Sequence, residues 1–158
     1  MSTPVDDAST NEAAIPNPSL APLAPLVGRW KTVGTHPMVP GKAFHGSTSF
    51  RWIEGGAFLV MHSQIDEPEI PSAVAIFGSD ADREALFMLY FDERGVSRKF
   101  DVTLRDETLR WWRDEPAFAQ RLTGRIIDGG RTIVSSGELC RDGHTWEGDL
   151  QLTYTRVD

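Results

Sequence analysis

The side chains best suited to chemistry in this 158-residue chain are scattered. His36, His45, His62 and His144 lie on separate segments, with no HxH or HxxxH spacing to bring two imidazoles to one metal. Solvent or a packed core is the expected fate of each. Cys140 is the single cysteine, which leaves no internal disulfide; without an adjacent histidine it is expected to pack against a neighbouring strand. There is no GxSxG, no P-loop and no GxGxxG. What remains is a set of polar residues that alternation places among apolar ones: His62, Arg98, Arg113, Gln120 and Tyr154. A few convergent polar groups in an apolar cavity are the make-up of a small-molecule pocket; at a barrel rim the same groups would simply reach water. For an enzyme on this scaffold, His62 and Tyr154 are the acid–base candidates, and Arg98 or Arg113 would steady an anion. The matching reaction is a metal-free cyclisation or isomerisation, promoted mainly by shaping a hydrophobic substrate.

The elements that must position these residues are strands. From Arg29 onward the apolar period is two. Phe44, Gly46, Thr48, Phe50 and Trp52 alternate with His45, Ser47, Ser49 and Arg51, the pattern of a half-buried strand. Glu54-Gly55-Gly56 and Asp128-Gly129-Gly130 read as hairpin turns. Further strands are expected at 58–64, 73–78, 86–91, 96–104, 108–113, 118–127, 132–140 and 146–156, with an intervening turn at 79–83. About ten strands joined by sequential hairpins, with no long crossover, predict an all-β, closed, antiparallel up-and-down barrel. A barrel that wide is expected to enclose a cavity.

Alternation also predicts what faces inward. Trp146, Gly148, Leu150, Leu152, Tyr154 and Arg156 form one set in the last strand, against Glu147, Asp149, Gln151, Thr153 and Thr155. Phe118, Gln120, Leu122, Gly124 and Ile126 form a second inward set. Arg98 joins Phe100 and Val102, Trp111 joins Leu109 and Arg113, and His62 joins Phe58, Val60 and Gln64. The candidate ligand-binding residues are therefore His62, Arg98, Phe100, Trp111, Arg113, Gln120, Leu152 and Tyr154. Arg156, inside and near a barrel end, is expected to stack on Trp30.

Ahead of the strands, residues 1–19 combine small, acidic and proline residues, a composition expected to be a disordered tail. Residues 20–158 form the single barrel domain. Leu20, Leu23 and Leu26 recur every three residues, and with Pro22 and Pro25 between them predict a short 3₁₀ or helical turn capping the barrel.

Gly28-Arg29-Trp30 near the start and Tyr154-Thr155-Arg156 at the end resemble the lipocalin and calycin pattern, in which a first-strand Trp packs against an Arg from the barrel's end. With Leu26-Val27 ahead and the 50–59 hairpin (Phe50-Arg51-Trp52-Ile53-Glu54-Gly55-Gly56-Ala57-Phe58-Leu59), the likeness is to small bacterial lipocalin-like proteins of unknown function, related to nitrobindin and fatty-acid-binding proteins. It spans nearly the whole chain from residue 26. The resemblance implies a barrel of ten or so strands around an apolar pocket, with Gly28, Trp30 and Arg156 as its structural signature. Nitrobindins hold haem through a histidine on a strand near the C-terminus. Here the last strand has no histidine, and His144 lies just before it, beside a turn expected to meet solvent.

Composition limits the partners. The net charge of −7 and pI near 5.0 oppose nucleic-acid binding, which needs a basic surface. No run approaches the ~20 apolar residues that span a bilayer, and no secretory signal pattern opens the chain, so a cytoplasmic protein is expected. The expected partner is a small hydrophobic molecule, with a carboxylate that Arg98 or Arg113 would pair. No cofactor is expected, haem being the alternative. A filled barrel acting through its surface, for which a homodimer would be suited, is the remaining reading.

Overall fold

The computed structural model describes residues 12–80 and 85–157. The first eleven residues of the expected tail, and residues 81–83 of the expected 79–83 turn, lie outside them. Ten strands follow in order: β1 (Gly28–Thr35), β2 (Phe44–Ile53), β3 (Phe58–Ile65), β4 (Ala73–Asp80), β5 (Ala85–Asp92), β6 (Ser97–Arg105), β7 (Thr108–Arg113), β8 (Ala119–Ile127), β9 (Thr132–Cys140) and β10 (Trp146–Val157). Each pairs antiparallel with the next, and β1 pairs with β10 to close the barrel. The all-β, up-and-down barrel expected from the period-two pattern is the fold observed. No helix among the described residues is long and apolar enough to cross a membrane.

Closure gives the barrel two unlike ends. One, the floor, carries the β2–β3, β6–β7 and β8–β9 turns and a 3₁₀ helix at Pro18–Leu26. Asn17 caps this helix, its side chain accepting a hydrogen bond from the Ser19 N–H. At three residues per turn, Leu20, Leu23 and Leu26 fall on one face, and all three are fully buried against the barrel. The other end, the mouth, carries the β1–β2, β3–β4, β5–β6, β7–β8 and β9–β10 connections.

Alternation holds along most of the wall. Phe100 and Val102, Leu122, Gly124 and Ile126, and Leu152 and Tyr154 are buried inward as expected. Two strands depart from the expected facing. In β3 the inward residues are Leu59, Met61, Ser63 and Ile65, so Phe58, Val60, His62 and Gln64 face out. The reason is that β3 is apolar on both faces near its start. Outward Val60 sits beside Ile76 and Leu89 across β4 and β5, so apolarity alone does not mark the inner face.

In β10 the register slips between Gly148 and Gln151: three residue steps on β10 face two on β9. This β-bulge reverses the alternation on its mouth side. Trp146, expected inside, stacks on outward Arg121, whose guanidinium carbon is 3.7 Å from the ring centroid. Asp149, expected outside, lines the cavity, Glu147 stands at its exposed rim, and Gly148, expected inside, is exposed. Gly137 on β9 makes room for the bulge, since a Cβ there would stand 2.9 Å from the Leu150 carbonyl oxygen.

Candidate functional site

The floor seals the barrel with the residues of the expected signature. Trp30 Nε1 donates to the Leu26 carbonyl at 2.8 Å. The Arg156 guanidinium lies over the Trp30 ring, 4.1 Å from its centroid, an attraction between a cation and the ring quadrupole. It also donates Nη1 to Val27 O at 2.6 Å, Nη2 to Pro25 O at 2.8 Å and Nε to Gly130 O at 3.3 Å. All three guanidinium nitrogens are thus held by main-chain carbonyls. Gly28 has φ 133°, and a Cβ there would collide with this guanidinium, so glycine is required on both counts.

Above the floor the interior opens into a cavity of about 470 Å³ that reaches solvent at the mouth, within the range of about 300–1,000 Å³ usual for ligand sites. Its wall is mainly apolar, with Met61, Met88, Phe100, Trp111, Leu122 and Leu152 prominent. Six of the eight candidate binding residues line it: Arg98, Phe100, Trp111, Gln120, Leu152 and Tyr154. His62 is on the outer wall, in a shallow depression beside Arg29, Lys31 and Ser49. The acid–base pair expected of His62 and Tyr154 is therefore split across the sheet. Arg113 faces in but stands behind the lining, donating Nη1 to Phe118 O at 2.9 Å and leaving Nε buried with no partner.

A chain of polar side chains crosses the mouth. Arg98 Nη1 donates to Gln120 Oε1 at 3.1 Å, and its guanidinium lies 4.9 Å from the Phe118 ring centroid. Gln120 Nε2 donates in turn to Asp149 Oδ2 at 3.5 Å. Asp149 Oδ1 accepts from His36 Nε2 at 2.7 Å, while His36 Nδ1 accepts the Met38 N–H at 3.0 Å. The last bond fixes the tautomer, with the proton on Nε2. Burial, and then the neighbouring Arg113, lower the Arg98 pKa. The Gln120 amide thus separates a cation from an anion that would otherwise pair.

Beside this chain, Asp92 receives Tyr90 Oη at 2.8 Å and Arg94 Nη2 at 2.7 Å. Burial works to raise its pKa, but the hydrogen bonds from Arg94 and Tyr90 outweigh that and lower it to about 2. Tyr90, desolvated and bonded to a carboxylate, is pushed up well beyond the usual phenol range. Two of these groups, His36 and Asp149, were not singled out by the sequence. His36 lies where no periodicity applies, and Asp149 is turned in by the bulge, for which Gly148 is the local hint.

The residues do not fit a histidine-ligated haem. His36 alone among the four histidines lines the cavity, and both its ring nitrogens are bonded. His45, His62 and His144 are exposed outside it.

No protein-family model and no curated protein matches the chain. Solved structures do. The Mycobacterium tuberculosis protein Rv2717c is similar over 93% of this chain and 100% of its own, with a TM-score of 0.64 and 16% identity. A protein of unknown function from the DUF3598 family of Nostoc punctiforme is similar over 85% of this chain, with a TM-score of 0.58 and 13% identity; this chain spans 49% of it. At these identities the likeness is one of fold.

Proposed function

We propose that the barrel binds a small hydrophobic molecule bearing a carboxylate, with the apolar body inside and the carboxylate on Arg98. One observation carries the reading: Arg98 is a half-buried cation on the cavity wall whose side-chain hydrogen bond goes to a neutral amide, with no carboxylate paired to it among the described residues. A desolvated cation without a counter-ion is costly, and a ligand carboxylate would supply charge-assisted hydrogen bonds there. The mainly apolar lining and the opening at one end support the same reading, as does the lipocalin-like signature at the floor.

Calorimetric titration of the full chain with decanoic acid and with methyl decanoate tests it. The acid should bind more tightly than the ester. Arg98→Gln should weaken the acid by about 10- to 100-fold, the effect of losing a charged hydrogen bond of about 1.5–3 kcal/mol, and leave the ester within about twofold. Acid binding that ignores Arg98→Gln, or no binding at all, would overturn the proposal.

A further inference from the structure

We infer that Tyr154 is a second, inner recognition point of the same cavity and that it reads a neutral oxygen at the far end of the ligand. This rests on the cavity-binding reading above and narrows its ligand class. Tyr154 is the last inward residue of β10 before Arg156, so it lies next to the floor. It is 7% exposed and lines the cavity, and its hydroxyl has no hydrogen-bond partner among the described residues.

Its neighbours are otherwise placed. Thr32, directly across from Tyr154 on β1, shares a 2.7 Å hydroxyl–hydroxyl bond with Thr48. Ser135 Oγ donates to Leu152 O at 3.0 Å, and Trp30 Nε1 to Leu26 O. Around the floor, then, each of these buried polar atoms is matched within the protein, while the Tyr154 hydroxyl is left open on the cavity side. An apolar occupant would strip solvent from this hydroxyl and leave it without a partner, which is unfavourable, whereas an oxygen on the occupant would complete it.

The charge of that oxygen follows from Arg156. It is the nearest cation along β10, but Val27, Pro25 and Gly130 hold its three nitrogens and Trp30 covers its face. Among the described residues that line the cavity, no cation at the floor end is left to balance a carboxylate. Desolvation also keeps the phenol in its neutral form, ready to donate to a hydroxyl, ketone or ester oxygen. The ligand class is therefore an amphipathic acid with its carboxylate at the mouth and a neutral oxygen function at its inner end.

The test compares octanoic, decanoic and dodecanoic acids with their ω-hydroxy counterparts, by calorimetry on wild type and Tyr154→Phe. At the chain length that spans the cavity, wild type should prefer the hydroxy acid by about five- to tenfold. Tyr154→Phe should erase that preference to within about twofold, bind the plain acid at least as well as wild type, and melt no lower. Plain acids that bind without any wild-type preference for a hydroxy acid, or a preference that survives in Tyr154→Phe, would overturn this inference and leave the cavity-binding proposal standing. Failure of every acid to bind wild type would overturn both.

Discussion

The floor and the mouth of the barrel use similar side chains to opposite ends. At the floor, Arg156 is bonded at every nitrogen to main-chain carbonyls and stacked on buried Trp30, beneath a 3₁₀ helix whose three leucines are fully buried. At the mouth, Arg98 has a neutral amide and an aromatic face, and Asp149 is matched through His36 and Gln120. The difference is one of completeness. A guanidinium satisfied by its own backbone locks a structure, whereas one held by a neutral partner keeps its charge for something else. The Trp30–Arg156 seal should thus govern stability, and the groups left open to the cavity, Arg98 foremost, should govern affinity.

That division can be broken first at Trp30. Trp30→Ala removes a ring that is 1% exposed and should cost about 3–5 kcal/mol in urea unfolding, as large-to-small core changes do. Gly28→Ala forces a side chain into a positive-φ position already filled by the Arg156 guanidinium; a loss of about 1–3 kcal/mol is expected by the same measurement. At the mouth, His36→Ala should cost only about 0.5–1.5 kcal/mol, the net worth of one hydrogen bond, while changing acid affinity in titrations more than either floor variant that still folds. A Trp30 or Gly28 variant that shifted affinity at unchanged stability would break the comparison.

The smallest effect is in acid. Asp92 has a folded pKa of about 2, below its ordinary 3.8, so it contributes stability that is fully present above about pH 4. That contribution is lost as the pH falls through about 2, because the unfolded chain takes up the proton first. The amount should be at most about 1 kcal/mol after solvent screening. Melting curves between pH 5 and pH 2 should show Asp92→Asn losing less stability over this interval than wild type.

The two ends also differ in how far the sequence reveals them. The floor was legible because Gly28 and Trp30 on β1, and Arg156 on the floor side of the β10 bulge, sit where alternation holds, and because leucines every third residue specify a 3₁₀ face. Arg98, Gln120 and Tyr154 were legible for the same reason. His62 was misplaced because Phe58, Leu59, Val60 and Met61 are apolar on both sides of β3, so the inner face is chosen by tertiary pairing with β4 and β5. Asp149 was missed because a single extra residue in β10 reverses the parity, and such a slip is set by the partner strand, where Gly137 leaves the space. His36 belongs to a loop and follows no period at all.

The bulge has a consequence of its own. It gives β10 two reading frames, one on each side of residues 149–150, and joins them without interrupting the strand. The chain on the solvent side can vary which residues it offers at the entrance while Leu152, Tyr154 and Arg156 stay in phase with the seal. Deleting Leu150 would fuse the two frames, and either the entrance or the seal would then turn inside out. A one-residue insertion thus uncouples what this protein selects from what keeps it folded, so that its entrance is free to diverge.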